Sequence, residues 1–145
     1  MMRNPVETIG NLIDKQTVCF ISSVDEEGCP NTKAMLQPVK REGIKTIYWH
    51  TNSPSRKVQQ FIDNPKACVY FCDKRFFRGV MLKGRMEVVD DLEVKKELWK
   101  DEMGVYYSGG MDGGDFIVLR FTAEKGRYYS NFKSEDFEIE KKETL

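Results

Sequence analysis

"YWHTNSPSRKVQQFIDNP", residues 48–65, sets the problem for the whole chain. An aromatic-rich run ends in Thr51, serines and cations crowd positions 53–57, and an amphipathic stretch then stops at Asn64-Pro65. Val58, Phe61 and Ile62 fall on one face at helical spacing, so a helix is expected, and Pro65 ends it. Ser53 reads as its N-cap and Pro54 as its first residue, where a missing N–H costs nothing. The start of a helix carries partial positive charge, so Arg56 and Lys57 are mildly unfavourable there. An anion resolves the conflict. Backbone N–H groups of Ser55 and Arg56, the hydroxyls of Thr51 and Ser55, the Arg56 guanidinium and the Lys57 ammonium make a cradle for a phosphate. Taken alone, the same residues also read as a plain capped helix with two exposed cations.

The rest of the chain narrows the choice by exclusion. Its 145 residues are enough for one domain with a real core. Lys plus Arg and Asp plus Glu both number 23, so the net charge is zero, and a nucleic-acid binder would show a basic excess. The cations at Lys74, Arg75, Arg78, Lys83 and Arg85 are followed closely by an acidic run from Glu87 to Glu102, which reads as a solvated face. No stretch has the length of a membrane span, and the first residues lack an apolar signal core, so a cytoplasmic protein is expected. Cys19, Cys68 and Cys72 sit in apolar runs, as small hydrophobes do, and none of the four cysteines forms a C-x-x-C pair. His50 is the only histidine, so neither a zinc site nor a Ser-His-Asp triad is expected.

Asn4-Pro5 starts a short helix with Val6, Ile9, Leu12 and Ile13 on its apolar side. Residues 17–24, 30–39 and 44–51 are β-branched or aromatic and separated by Gly-containing turns, which reads as a β-meander. After the helix of the opening stretch come a buried-type strand at 67–72 and a long strand or bent pair at 76–89, with Gly79 and Gly84 as candidate bulges. Residues 91–103 read as a helix and 104–115 as a Gly-rich connection. A last core strand at 116–123 is followed by a short RYYSNF strand, and the charged tail from 134 to 145 is expected to fray. The expected fold is mostly β (α+β), with six or seven antiparallel strands and two or three short helices in a small barrel.

The order of motifs resembles the pyridoxamine 5′-phosphate oxidase-like family of FMN-binding split β-barrels, in particular its small members akin to general stress protein 26. The residues that carry the resemblance are Thr32-Lys33-Ala34-Met35, Trp49-His50-Thr51, Ser55-Arg56-Lys57, Asn64-Pro65, "ACVYF" and "GVMLKGRMEVV", across about residues 5–123. It implies a single FMN-binding domain over residues 1–145, acting as a homodimer with the flavin at the subunit interface. Thr51, Ser55, Arg56 and Lys57 would hold the phosphate. Lys33, Ala34 and Met35, together with Tyr48, Trp49 and His50, would run beside the isoalloxazine ring, with Lys33 as the cation that tunes it.

The chain departs from the true oxidases in two places. Lys33 and Gln37 stand where they carry an Arg and a Lys, and Gly79 stands where they carry a Gln. "EKGRYYSNFK" at 124–133 has no clear relation to their substrate-binding segment. Vitamin B6 oxidation is therefore not expected, and the leading expectation is an FMN-dependent oxidoreductase with a small-molecule substrate and no nucleic-acid or membrane partner. The alternatives are a flavin store or sensor without turnover, and a barrel that binds another anionic ligand such as haem. Arg127-Tyr128-Tyr129 would either close the partner's site or form a solvated edge. Tyr106 to Gly110 would be either a mobile lid or a plain connection.

Overall fold

The computed structural model describes residues 4–139. Asn4 caps the first helix, α1 (Pro5–Lys15), by accepting a hydrogen bond from the Glu7 amide. The chain continues as β1 (Val18–Val24), β2 (Pro30–Leu36), β3 (Lys40–Glu42), β4 (Thr46–Asn52), α2 (Arg56–Asp63), β5 (Lys66–Asp73) and β6 (Arg78–Val89). Then come α3 (Leu92–Leu98), a 3-10 turn (Asp101–Val105), β7 (Phe116–Ser130) and β8 (Lys133–Glu138). One antiparallel sheet runs β2-β1-β5-β6-β7-β4-β3, with β8 added on β7. The mostly β architecture with three helices is the expected one.

The differences lie in connectivity. The three strands read as a meander do not lie side by side: β2 pairs only β1, whereas β4 pairs β3 and β7. Alternating apolar residues mark a strand but say nothing of its neighbour. The RYYSNF segment is no separate strand, because β7 continues unbroken to Ser130. Residues 133–138, expected as part of the fraying tail, return as β8 through an Asn131-Phe132 turn. Both turn residues have positive φ (53° and 63°), the backbone that two-residue hairpins demand. The end of that tail, 140–145, lies outside the described residues.

The sheet curls because β6 and β7 bend together. Their register shifts between Lys83 and Gly84. A Cβ on Gly84 would collide with the Thr122 carbonyl oxygen, so only glycine lets the two backbones cross there. Beyond the bulge β7 carries β4 on its free edge, and before it the same edge carries β8. The concave side is filled by Ile9, Leu12 and Ile13 of α1, with Ile21, Trp49, Phe71, Leu82 and Phe121 from the strands. A second cluster lies outside the barrel wall, where Leu98, Met103 and Tyr107 cover Tyr48, Phe116 and Val118. Strand β4 is therefore buried on both faces.

Gly84→Ala should cost about 1–3 kcal/mol, the usual range for an overpacked core, because the obstacle is backbone and cannot rotate away. A urea titration of both proteins measures this, and an unchanged midpoint would show that the crossing tolerates a side chain.

Candidate functional site

Helix α2 begins two residues later than the Ser-Pro pair suggests. Ser55 is its N-cap, makes no side-chain capping bond, and leaves Ser53 and Pro54 in the preceding turn. The Ser55 amide instead donates to Asn52 O in that turn, which delays the helix. Arg56 and Lys57 thus occupy the first two helical positions, whose N–H groups have no intrahelical acceptor. The buried face is Lys57, Val58 and Phe61, while Ile62, expected there, is exposed.

Lys57 is only 7% exposed, and no carboxylate pairs with it among the described residues. Its Nζ has one polar neighbour, the Ser55 hydroxyl at 3.4 Å. Burial, with help from the Lys33 charge, lowers its pKa to about 8. Arg56 stays exposed, at the mouth of the same site.

Two cavities of about 360 Å³ each meet at this lysine. One lies over the helix start, lined by Ser55, Arg56, Asn31 and Gln60. The other runs along β4, lined by Ala34 and Met35 on one side and by Trp49, His50 and Thr51 on the other. Lys33, Asn52 and Lys57 line both. All nine site residues read from the sequence — Lys33, Ala34, Met35, Trp49, His50, Thr51, Ser55, Arg56 and Lys57 — therefore line one continuous cleft. Thr51, expected beside the phosphate, lines the β4 cavity and not the one over the helix. Tyr48, expected beside a ring, points the other way: it is buried in the outer cluster, and its hydroxyl donates to Glu42 at 3.0 Å. Strand alternation puts Tyr48 on the same face of β4 as His50, opposite Trp49 and Thr51, and of the two only His50 also lines the cavity.

The 101–107 segment supplies what the sequence left open. Tyr106 and Tyr107 line the β4 cavity, Tyr107 buried and Tyr106 exposed, so this stretch forms part of the cavity wall. Its signal in the sequence was the tyrosine pair ahead of the glycines. Arg127, Tyr128 and Tyr129 line neither part of the cleft, and Arg127 grips Asp136 through two hydrogen bonds of 2.7 and 3.2 Å. Cys19 is an inert buried thiol that accepts from Trp49 Nε1, and burial raises its pKa to about 11. No group of metal-binding side chains occurs among the described residues.

A curled antiparallel barrel of eight strands with three helices is the build of a split-barrel protein. The chain belongs to the pyridoxamine 5′-phosphate oxidase family, whose model matches residues 6–130. It is similar to the pyridoxine/pyridoxamine 5′-phosphate oxidases of Agrobacterium fabrum and Escherichia coli, each 34% identical, over 81 and 80 residues. Those matches cover 56% and 55% of this chain but only 38% and 36% of the oxidases, so it spans well under half the length of these curated relatives. Among solved structures, a Clostridium acetobutylicum protein related to general stress protein 26 superposes with a TM-score of 0.86. It is 34% identical over 96% of this chain and 97% of its own. A haem binding protein from Mycobacterium smegmatis shares the fold (TM-score 0.75, 15% identity, 95% of this chain and 59% of that one).

A charged Lys57 without a partner destabilises the protein free of ligand. Below about pH 8 it is protonated in both states and the cost is complete. Between there and the ordinary value of 10.5 the unfolded chain binds the extra proton, so stability rises with pH. Lys57→Met should raise stability at pH 7 by about 1–3 kcal/mol, the penalty of an unsatisfied buried group, and abolish that rise. Denaturant titrations at pH 7 and 9.5 test both, and a destabilised Met variant with the pH rise intact would refute the assignment.

Proposed function

We propose that the cleft binds FMN and that the protein is an FMN-dependent oxidoreductase acting on a small molecule. The observation that carries this is the buried, unpaired Lys57 at the junction of the two cavities. A cation is kept in such a place at a cost to stability, and a phosphate delivered there removes the cost. In this reading the phosphate sits over the α2 start, held by the free N–H groups, the Ser55 hydroxyl, Arg56 and Lys57. Lys33, Met35 and His50, which line the β4 cavity, would hold the planar ring. Thr51 serves the ring end of the cleft. Bound flavin would supply the hydride or electron chemistry, and the protein supplies orientation and charge. The family relationship supports the same reading.

We further propose that the split barrel works as one FMN-binding unit and as a homodimer. The outward face of the sheet is apolar where a solvated one would be polar: Val18, Phe20, Leu36 and Tyr70 are 46, 39, 59 and 38% exposed. Their strands lie side by side, with Val18 opposite Leu36 and Phe20 opposite Tyr70, so they form one patch. A second copy covers it and adds a wall to the cleft beside β2. Four free cysteines suit a reducing compartment, and we place the protein in the cytoplasm. No helix among the described residues is long and apolar enough to cross a membrane.

Titration of the apo-protein with FMN and riboflavin, followed by flavin fluorescence, tests the cleft. Arg56→Ala should weaken FMN by about ten- to a hundredfold, since a charge-assisted hydrogen bond contributes roughly 1.5–3 kcal/mol. Riboflavin should hardly change. Equal losses would mean that Arg56 supports the fold, and no uptake of either flavin would overturn the reading. Haem in place of FMN would give its own absorbance bands in the same titration. Reduction of bound flavin by NADH or NADPH at a useful rate separates an enzyme from a flavin store. Phe20→Glu should convert dimer to monomer in light scattering at micromolar concentration, and a wild-type monomer holding tightly bound flavin would exclude the shared site.

A further inference from the structure

His50 is held in the cleft by one hydrogen bond and three neighbouring rings. Its Nδ1 lies 2.7 Å from the Tyr107 hydroxyl. Three rings enclose it, those of Tyr107, Phe116 and Tyr106, with centroids 5.5, 6.0 and 6.3 Å away. Tyr107 is 4% exposed, and His50 is the only hydrogen-bond partner of its hydroxyl among the described residues. A buried O–H without an acceptor costs the full desolvation of the donor, so the hydroxyl gives its single hydrogen to Nδ1. Burial pushes the Tyr107 phenol up to about 12, which keeps that hydrogen in place. With Nδ1 accepting, the hydrogen of a neutral imidazole sits on Nε2, which has no hydrogen-bond partner among the described residues.

The charges around the ring keep it neutral. Burial and the Lys100 ammonium both hold the imidazole below its ordinary pKa of 6.5. Lys33 of β2 and Lys57 of α2 face the same cavity. Tyr107 is uncharged at pH 7, and no carboxylate among the described residues lines this cavity to pull a proton onto the ring.

We propose that His50 is a neutral hydrogen-bond donor, presenting Nε2–H to a carbonyl oxygen or ring nitrogen of the bound cofactor, and that Tyr107 is the positioning residue that fixes this tautomer. The proposal rests on the flavin reading of the cleft and adds a selection rule to it. Lysines attract any anion, whereas an N–H aimed from a strand buried on both faces accepts only a lone pair in one direction. The ligand class is thus a flat heteroaromatic ring with carbonyl groups at its edge and a phosphate at its far end. Tyr107 reaches the ligand only through His50.

The chain's single histidine makes the test direct, because imidazole nitrogen signals in an NMR spectrum need no assignment. Apo-protein at pH 7 should show the Nε2–H tautomer and a titration midpoint below 6.5. Tyr107→Phe keeps the ring in the aromatic cluster but removes the hydroxyl. It should give mixed tautomers and raise the midpoint, since a donor to the neutral form is lost. FMN and riboflavin should both move the wild-type Nε2–H signal, and inorganic phosphate should leave it in place. His50→Leu should weaken FMN and riboflavin by the same factor, about three- to tenfold, unlike the FMN-selective loss at Arg56. Hydrogen on Nδ1 in the apo-protein, or an Nε2–H signal that stays put while FMN binds at full affinity, would overturn the proposal. Wild-type protein that takes up no flavin would overturn the flavin reading and the ligand role of His50 together, even with the apo tautomer as described.

Discussion

The bend at Lys83 and Gly84 is the constraint on which the rest of the molecule depends. Strands β6 and β7 are the longest in the sheet, and a long untwisted pair would leave the chain as an open ribbon. The register shift curls them, and one edge of β7 then serves two strands in succession. Because β4 rather than β8 joins beyond the bulge, Trp49, His50 and Thr51 come to line the same cleft as Lys33 and Met35 of β2. The α2 start, three residues beyond β4, is thereby delivered to the end of that cleft. Cleft geometry is thus inherited from a backbone crossing that involves none of the cleft residues.

The sequence disclosed the local parts well and their assembly poorly. Spacing of Val58 and Phe61 located α2, and Asn4-Pro5 located α1, because capping and periodicity are local properties. The first residue of α2 was misplaced because Ser53-Pro54 and Ser55-Arg56 are equally good starts by propensity, and a turn bond from Ser55 to Asn52 chooses between them. The nine residues read from the sequence lie in two short segments, 33–35 and 49–57, which the fold brings to one cleft, while Asn31, Asn52 and Gln60 also line it and carry no such local signal. Tyr107 was read only as part of a candidate lid or connection, since nothing local says that residue 107 returns to residue 50. Tyr48 was assigned to the wrong side because an apolar strand buried on both faces shows no polar alternation to tell inside from outside.

Two kinds of charge management coexist in this neutral chain. Several cations are paired where they stand: Arg41 clamps Asp14 and ties β3 to α1, and Arg120 holds Glu87 across the β6–β7 ladder. Lys57 is treated differently, buried like a core residue and left without an acid. Such asymmetry is what separates a binding group from a structural one. A ligand that brings negative charge to this place would recover the stability that burial of the lysine costs.

The partnership between β4 and β7 also has a consequence in time. Trp49 pairs opposite Leu119, some seventy residues further along the chain. The β1–β2 and β5–β6 hairpins, by contrast, close across short turns. Loop closure of that length is entropically expensive and comes late when local pairings are available first. The wall that carries His50 is therefore among the last parts of the barrel to close during folding. A half-folded chain would thus hold the cationic helix start before the wall that sets Trp49 and His50 beside it.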